Sequence, residues 1–168
     1  MLTQWLIRTL FDYDKETGHL IWKPRADMPG WNTKWAGKPV GSSKTGRAGR
    51  PSQTRINGVL YFVHKLVWLY HCGYWPKYID HKNGDNHDNR IENLREASHL
   101  QNMANRNRHE RGVHFEKKKG RFRARIRFAG KRMHLGYFAT REEALEAYRK
   151  ASVQFHGEFS SYNRRIST

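Results

Sequence analysis

Residues 78–102 read Tyr78-Ile79-Asp80-His81-Lys82-Asn83-Gly84-Asp85-Asn86-His87-Asp88-Asn89-Arg90-Ile91-Glu92-Asn93-Leu94-Arg95-Glu96-Ala97-Ser98-His99-Leu100-Gln101-Asn102. Tyr78–His81 predicts a short strand. Lys82–Arg90 predicts a loop, because Gly, Asn and Asp dominate it and favour turns. Ile91–Leu94 then returns as a second strand. Ser98-His99-Leu100-Gln101 carries serine at the N-cap and glutamine at N3 of a capping box, so a helix starts there with Asn102 in its first turn. The expected unit is ββα, in which Asp80, His81 and Asn102 converge.

Those three side-chain types suit phosphodiester hydrolysis, which needs a base to activate water, a cation to neutralise developing charge, and fixed positions for both. An imidazole with its ordinary pKa of about 6.5 suits the base, here His81. Asp80 and Asn102 offer the oxygen ligands that magnesium and manganese prefer, with waters and phosphate oxygens filling the shell. The expectation is one Mg2+ or Mn2+ ion per active site, bound fully only with DNA present. Asn93 has a plainer reading beside these, since asparagine often satisfies local backbone groups.

Charge points to the same partner. The 168-residue chain has a formal net charge of +17, too large an excess of one sign to leave without a polyanion. It is uneven: residues 1–100 hold 15 Lys/Arg against 9 Asp/Glu, and residues 101–168 hold 17 against 6. The C-terminal part is therefore the expected electrostatic grip. A single cysteine, Cys72, excludes an intrachain disulfide or a multi-cysteine zinc site, and its aromatic surroundings predict a packed thiol. With no apolar run of membrane-spanning length and no signal-peptide pattern at Met1-Leu2-Thr3-Gln4-Trp5, the expected location is a cytoplasm, that of a bacterial host.

The C-terminal stretch has the clearest periodicity. Arg121–Phe128 alternates, with Arg121, Arg123, Arg125 and Arg127 on one face and Phe122, Ala124, Ile126 and Phe128 on the other. Gly112–Phe115 precedes it as a strand, Ala129-Gly130 turns the chain, and Lys131–Phe138 returns. Thr140-Arg141-Glu142-Glu143 is a second capping box, opening a helix with Ala144, Leu145, Tyr148, Ala151, Ser152 and Phe155 along one side. The prediction is a three-stranded antiparallel sheet backed by one helix.

Adjacent like charges on a sheet face repel, so the arginine ladder asks for an anionic partner. Guanidinium forks match phosphates and guanine edges. Lys117, Lys118, Lys119, Lys131 and Arg132 at the strand ends are expected on the phosphate backbone, together with Arg106 and Arg108 upstream. RNA is the weaker option, since the face lacks an aromatic stacking platform.

Upstream, Leu2, Trp5, Leu6 and Leu10 predict a short amphipathic helix, and His19–Trp22 a strand. Residues 24–49 are expected to be mostly loop, touching DNA through Lys34, Lys38, Lys44 and Arg47. Arg50–Ile56 and Val59–Val63, joined by Asn57-Gly58, predict a hairpin, and His64–Tyr70 a helix.

Two resemblances follow from these residues. Arg111-Gly112-Val113, Phe122-Arg123-Ala124-Arg125-Ile126, Leu135-Gly136-Tyr137-Phe138, Glu142-Glu143-Ala144 and Ala147-Tyr148 resemble the AP2 DNA-binding domain, whose sheet binds the major groove. Strand tryptophans of the plant-type pattern are absent here, with Phe122 and His134 at comparable places. Asp80-His81-Lys82-Asn83-Gly84, Asp88-Asn89-Arg90, Asn93-Leu94-Arg95 and Asn102, with His64-Lys65-Leu66-Val67-Trp68 upstream, resemble HNH endonucleases of phage homing type. That resemblance implies His81 as general base, Asp80 and Asn102 as metal ligands, and Asn93 as the residue that braces the loop and orients His81. His64 and His87 match no motif position and are expected to be structural or DNA-facing.

The expected architecture is α+β: a ββα-metal nuclease module over 1–105, a basic linker over 106–111, and an AP2-like sheet-plus-helix domain over 112–168. The function implied is metal-dependent, homing-type cleavage of double-stranded DNA, by a chain expected to be monomeric and to have no membrane partner. The alternative is a non-catalytic, sequence-specific DNA-binding regulator carrying a relic HNH unit, with RNA processing a third option.

Overall fold

The computed structural model describes residues 2–41, 51–105 and 112–163. Lys44, Arg47, Arg106, Arg108 and the linker expected over 106–111 lie outside the described residues. The chain divides into two compact units, Met1–Glu96 and Ala97–Thr168. The division falls after Glu96, so the helix carrying Asn102 groups with the C-terminal unit. Both units mix helices with small antiparallel sheets.

In the first unit, helix α1 (Gln4–Leu10) runs straight into a hairpin of β1 (Phe11–Tyr13) and β2 (Leu20–Trp22). Its buried residues are Ile7 within the helix and Leu2 and Phe11 at its ends, while Trp5 is 75% exposed. The stripe expected through Trp5 is therefore rotated. A helix of two turns can turn its ring outward when the flanking Leu2 and Phe11 already fill the core. Residues 24–41 are less irregular than expected, since α2 (Pro29–Trp35) forms there with proline in its first turn, where no N–H is required.

Next come the hairpin β3 (Gln53–Ile56) and β4 (Val59–Phe62) and helix α3 (Val63–Cys72). Asn57 and Gly58 both have positive φ, at 49° and 79°, the geometry of the tight turn that Asn-Gly favours. Val63, Leu66, Val67 and Leu69 of α3 are essentially inaccessible and form the centre of the unit's core with Ile7, Phe11, Leu20, Ile56, Ile79 and Leu94. Cys72 is exposed instead of packed, because it is the last residue of α3, where the left-handed Gly73 turns the chain away. Finally β5 (Ile79–His81) pairs antiparallel with β6 (Leu94–Glu96). The return strand begins three residues later than expected: Ile91–Asn93 is a 3-10 turn.

The second unit opens with α4 (His99–Asn105), capped by Ser98 and Gln101 in the reciprocal manner expected: Gln101 N donates to Ser98 Oγ at 3.2 Å and Ser98 N to Gln101 Oε1 at 2.7 Å. Strands β7 (Val113–Glu116), β8 (Arg121–Phe128) and β9 (Lys131–Phe138) form one antiparallel sheet in that order. Helix α5 (Arg141–His156) starts at the Thr140/Glu143 capping box and lays Ala144, Leu145 and Tyr148 against Val113, Phe122, Ala124, Leu135 and Phe138. Gly112 enters this sheet too close for a side chain: a Cβ there would stand 2.1 Å from the Tyr148 ring and 2.5 Å from the Arg125 carbonyl oxygen.

Candidate functional site

The loop between β5 and β6 is built by its own polar side chains. Asn93 is buried and spans it: Nδ2 donates to Asp88 O at 2.8 Å and Asn83 Oδ1 at 3.1 Å, while Oδ1 accepts from Asn83 N at 3.0 Å. Arg90 grips Asp88 with two parallel bonds, Nε to Oδ1 at 2.9 Å and Nη2 to Oδ2 at 2.7 Å. That contact holds the Asp88 carboxyl below its usual range. Asn83 Nδ2 adds a third bond to Asp88 at 2.7 Å. A loop so dense in charge-assisted bonds is held in one conformation without an apolar core.

The N-terminal hairpin supports this loop from outside. Tyr13 Oη accepts from Ile91 N at 2.9 Å. Gly18, at φ +73°, lies so close that a Cβ would come within 2.5 Å of the Asn89 carbonyl carbon. The first twenty residues thus brace the site, a role their sequence did not disclose.

Asp80 and His81 sit side by side on β5, both buried. Strand neighbours point to opposite faces. His81 Nε2 lies 3.2 Å from Asn89 Oδ1, so with the amide in this orientation the ring proton is on Nε2 and the basic nitrogen is Nδ1. Burial lowers the His81 pKa, opposed in part by Asn89 and the Asp80 charge. The neutral, proton-accepting form is the one favoured. His64 packs its ring edge-on to His81 with centroids 5.3 Å apart and stacks on Phe62. Burial, with the neighbouring His81 and Lys65 charges, pushes its pKa down to about 3.

The Asp80 carboxylate faces Arg95 across the β5–β6 pair, with Oδ2 accepting from Nε at 3.0 Å and Nη2 at 2.8 Å. Among the described residues no three His, Cys, Asp or Glu side chains gather as a metal site. The donor set still fits a hard divalent ion, since a buried carboxylate is the ligand magnesium and manganese take, and these ions readily complete their shells with water and phosphate oxygen. Asn102 stands in α4 of the second unit.

Asn93 bonds across the loop, while Asn89 is the asparagine whose Oδ1 lies 3.2 Å from His81 Nε2. Asn89 and Arg95 both fall inside the quoted motif stretches, so the signal was present but the motif letters did not mark them. His64 is buried and not turned to solvent, which removes the DNA-facing reading. His87 takes part in a local turn, its N donating to Asp85 Oδ1 at 2.9 Å.

On the C-terminal sheet Ala124 and Ile126 are buried, while Arg121 and Arg127 are exposed and Arg123 and Arg125 half-buried. Arg123 Nη1 pairs with Glu116 at 3.1 Å, so one rung of the ladder is already neutralised. Arg127 stands opposite Arg132 and Arg125 opposite His134 in the β8–β9 register. Lys117, Lys118, Lys119 and Lys131 are exposed, with Lys119 Nζ lying 3.9 Å from the Tyr137 ring centroid.

With the loop, its histidine and its carboxylate placed, comparison with known proteins gives a class for this part of the chain. Residues 61–104 match the HNH endonuclease family, over about a quarter of the chain. The match runs from β4 through α3, the β5–β6 pair and α4. No curated protein and no solved structure matches the chain.

Proposed function

We propose that the protein is a metal-dependent endonuclease of homing type that hydrolyses phosphodiester bonds in double-stranded DNA. The observation that carries this reading is the buried Asp80–His81 pair on β5, inside the segment that matches the HNH endonuclease family, with burial favouring the neutral His81 ring and Asn89 Oδ1 3.2 Å from its Nε2. His81 takes a proton from the attacking water through Nδ1, and Asn89 and the Asn93-braced loop fix the ring's direction. Asp80 and, on the motif resemblance alone, Asn102 are the ligands we assign to magnesium or manganese. When bound, such an ion neutralises charge developing on the phosphate and leaving oxygen.

The C-terminal sheet, with its AP2-like sequence pattern, is the DNA-gripping element in this reading. Arg121, Arg125 and Arg127 face the major groove, and Lys117, Lys118, Lys119, Lys131 and Arg132 meet phosphates. The opposed Arg127–Arg132 pair favours it, because two guanidinium groups directly across a sheet repel unless an anion lies between them.

The test is cleavage of phage and host genomic DNA with magnesium or manganese. His81→Ala should abolish cut ends while gel-shift affinity stays within about threefold, and a chelator should stop the parent; a mutant as fast as the parent refutes the assignment. A non-catalytic DNA-binding regulator is the second reading, favoured by the ion pair that holds Asp80. Tight duplex binding with no cleavage in either metal would establish it.

A further inference from the structure

Arg95 is the unexplained member of the site. Its side chain is 11% exposed and that of Asp80 6%. Its Nε and Nη2 both donate to Asp80 Oδ2, at 3.0 and 2.8 Å. As a structural ion pair it has little purpose, since buried pairs rarely stabilise more than the apolar residues that would replace them. It matters more for the carboxylate it holds.

We propose that Arg95 is a positioning residue that gates Asp80: it holds the carboxylate while DNA is absent and makes divalent-cation binding conditional on a DNA phosphate. This rests on the nuclease reading above. The physical reason is charge. Guanidinium does not lose its proton in proteins. A divalent ion reaching Asp80 in the free protein would therefore share a buried site with a fixed positive charge, at a separation where repulsion is strong. A phosphate relieves it by adding a negative charge, and its oxygens match the arginine fork as a carboxylate does. On DNA binding the guanidinium passes from Asp80 to the phosphate, and the carboxylate passes to the ion. An idle nuclease so built leaves its metal site closed until substrate arrives.

Mn2+ binding, read from the free-ion paramagnetic resonance signal, tests this with the full-length chain carrying His81→Ala so that added DNA stays intact. The parent should bind Mn2+ at least tenfold more tightly with a mixed-sequence duplex than without it. By linkage, Mn2+ should tighten duplex binding by the same factor. Adding Arg95→Gln should raise duplex-free Mn2+ affinity at least tenfold and shrink the effect of the duplex. Unchanged duplex-free affinity in a folded Arg95→Gln protein overturns the gate. If circular dichroism shows that this variant does not fold, Arg95→Lys, which keeps a charge but loses the fork, should still gain about threefold, and no gain overturns the gate. If neither parent nor variant binds Mn2+ with or without duplex, the metal-dependent reading itself fails, whereas duplex-dependent binding without an Arg95 effect removes only the gate.

Discussion

His64 shows what burial does to one titratable side chain. The unfolded chain protonates it near its ordinary pKa of 6.5, while the folded chain resists until about pH 3. Between those values the unfolded state holds more protons, so stability falls as pH drops through the window, by up to about 1.4 kcal/mol per unit. Above it His64 contributes nothing to the pH dependence. Among the described residues its Nδ1 has no hydrogen-bond partner, so a phenyl ring loses no bond made there. His64→Phe should leave the melting temperature at pH 7.5 within a few degrees and make its decline toward pH 4 shallower; an unchanged acid limb in thermal melts would contradict this. Asn93 is the opposite case, a buried amide whose side chain bonds to Asn83 and Asp88 of its own loop. Asn93→Ala strands Asn83 N and Asp88 O, at a cost of about 2 kcal/mol in chemical unfolding. It should also slow cleavage more than tenfold while duplex affinity holds.

At the scale of elements, two turns carry conformations that only small residues accept readily. Ala129, between β8 and β9, has φ 48° beside Gly130 at 79°, so a residue with a Cβ sits in the left-handed region. Ala129→Gly removes that strain and should raise stability by about 0.5 kcal/mol net, after the larger unfolded-state entropy of glycine. A fall in the urea midpoint would show the strain is not there. Gly18 combines φ +73° with close backbone contact to residues 89 and 90. Gly18→Ala should therefore cost more than about 2 kcal/mol and reduce cleavage, because it pushes the β1–β2 hairpin off the loop that holds Asn89. Equal activity and stability would detach the N-terminal hairpin from the site.

For the whole molecule, the excess charge is the dominant fact, and its consequence is salt dependence. A basic protein that displaces condensed counterions loses affinity linearly in log salt, by about 0.9 in slope for each phosphate neutralised. Arg132→Ala, at a phosphate, should weaken binding uniformly across duplex sequences and Arg127→Ala, facing the groove, unequally between them, and the phosphate variant should lower that slope by about one. Arg123→Ala should change it least, since Glu116 already compensates its charge. Fluorescence anisotropy over a salt series reads all three, and equal slopes throughout would remove the sheet from the interface.

Much of this was legible in the residues themselves. Local rules decided the elements: the Asn57-Gly58 turn, both capping boxes, the alternating β8 strand and the strand–loop–strand frame around Asp80 and His81 are each written within a dozen residues, and the structure forms them there. Periodicity misled where the chain is short. Trp5 faces outward and Cys72 is exposed, because which flank of a two-turn or terminal helix is buried depends on neighbours supplied from elsewhere. The same limit applies at the site. Motif spacing gave the aspartate and histidine, but Asn89 on the imidazole, Arg95 on the carboxylate, His64 against the ring and Gly18 beneath the loop are contacts across strands and between distant segments. They exist only once burial has brought those segments together, and no local preference encodes them.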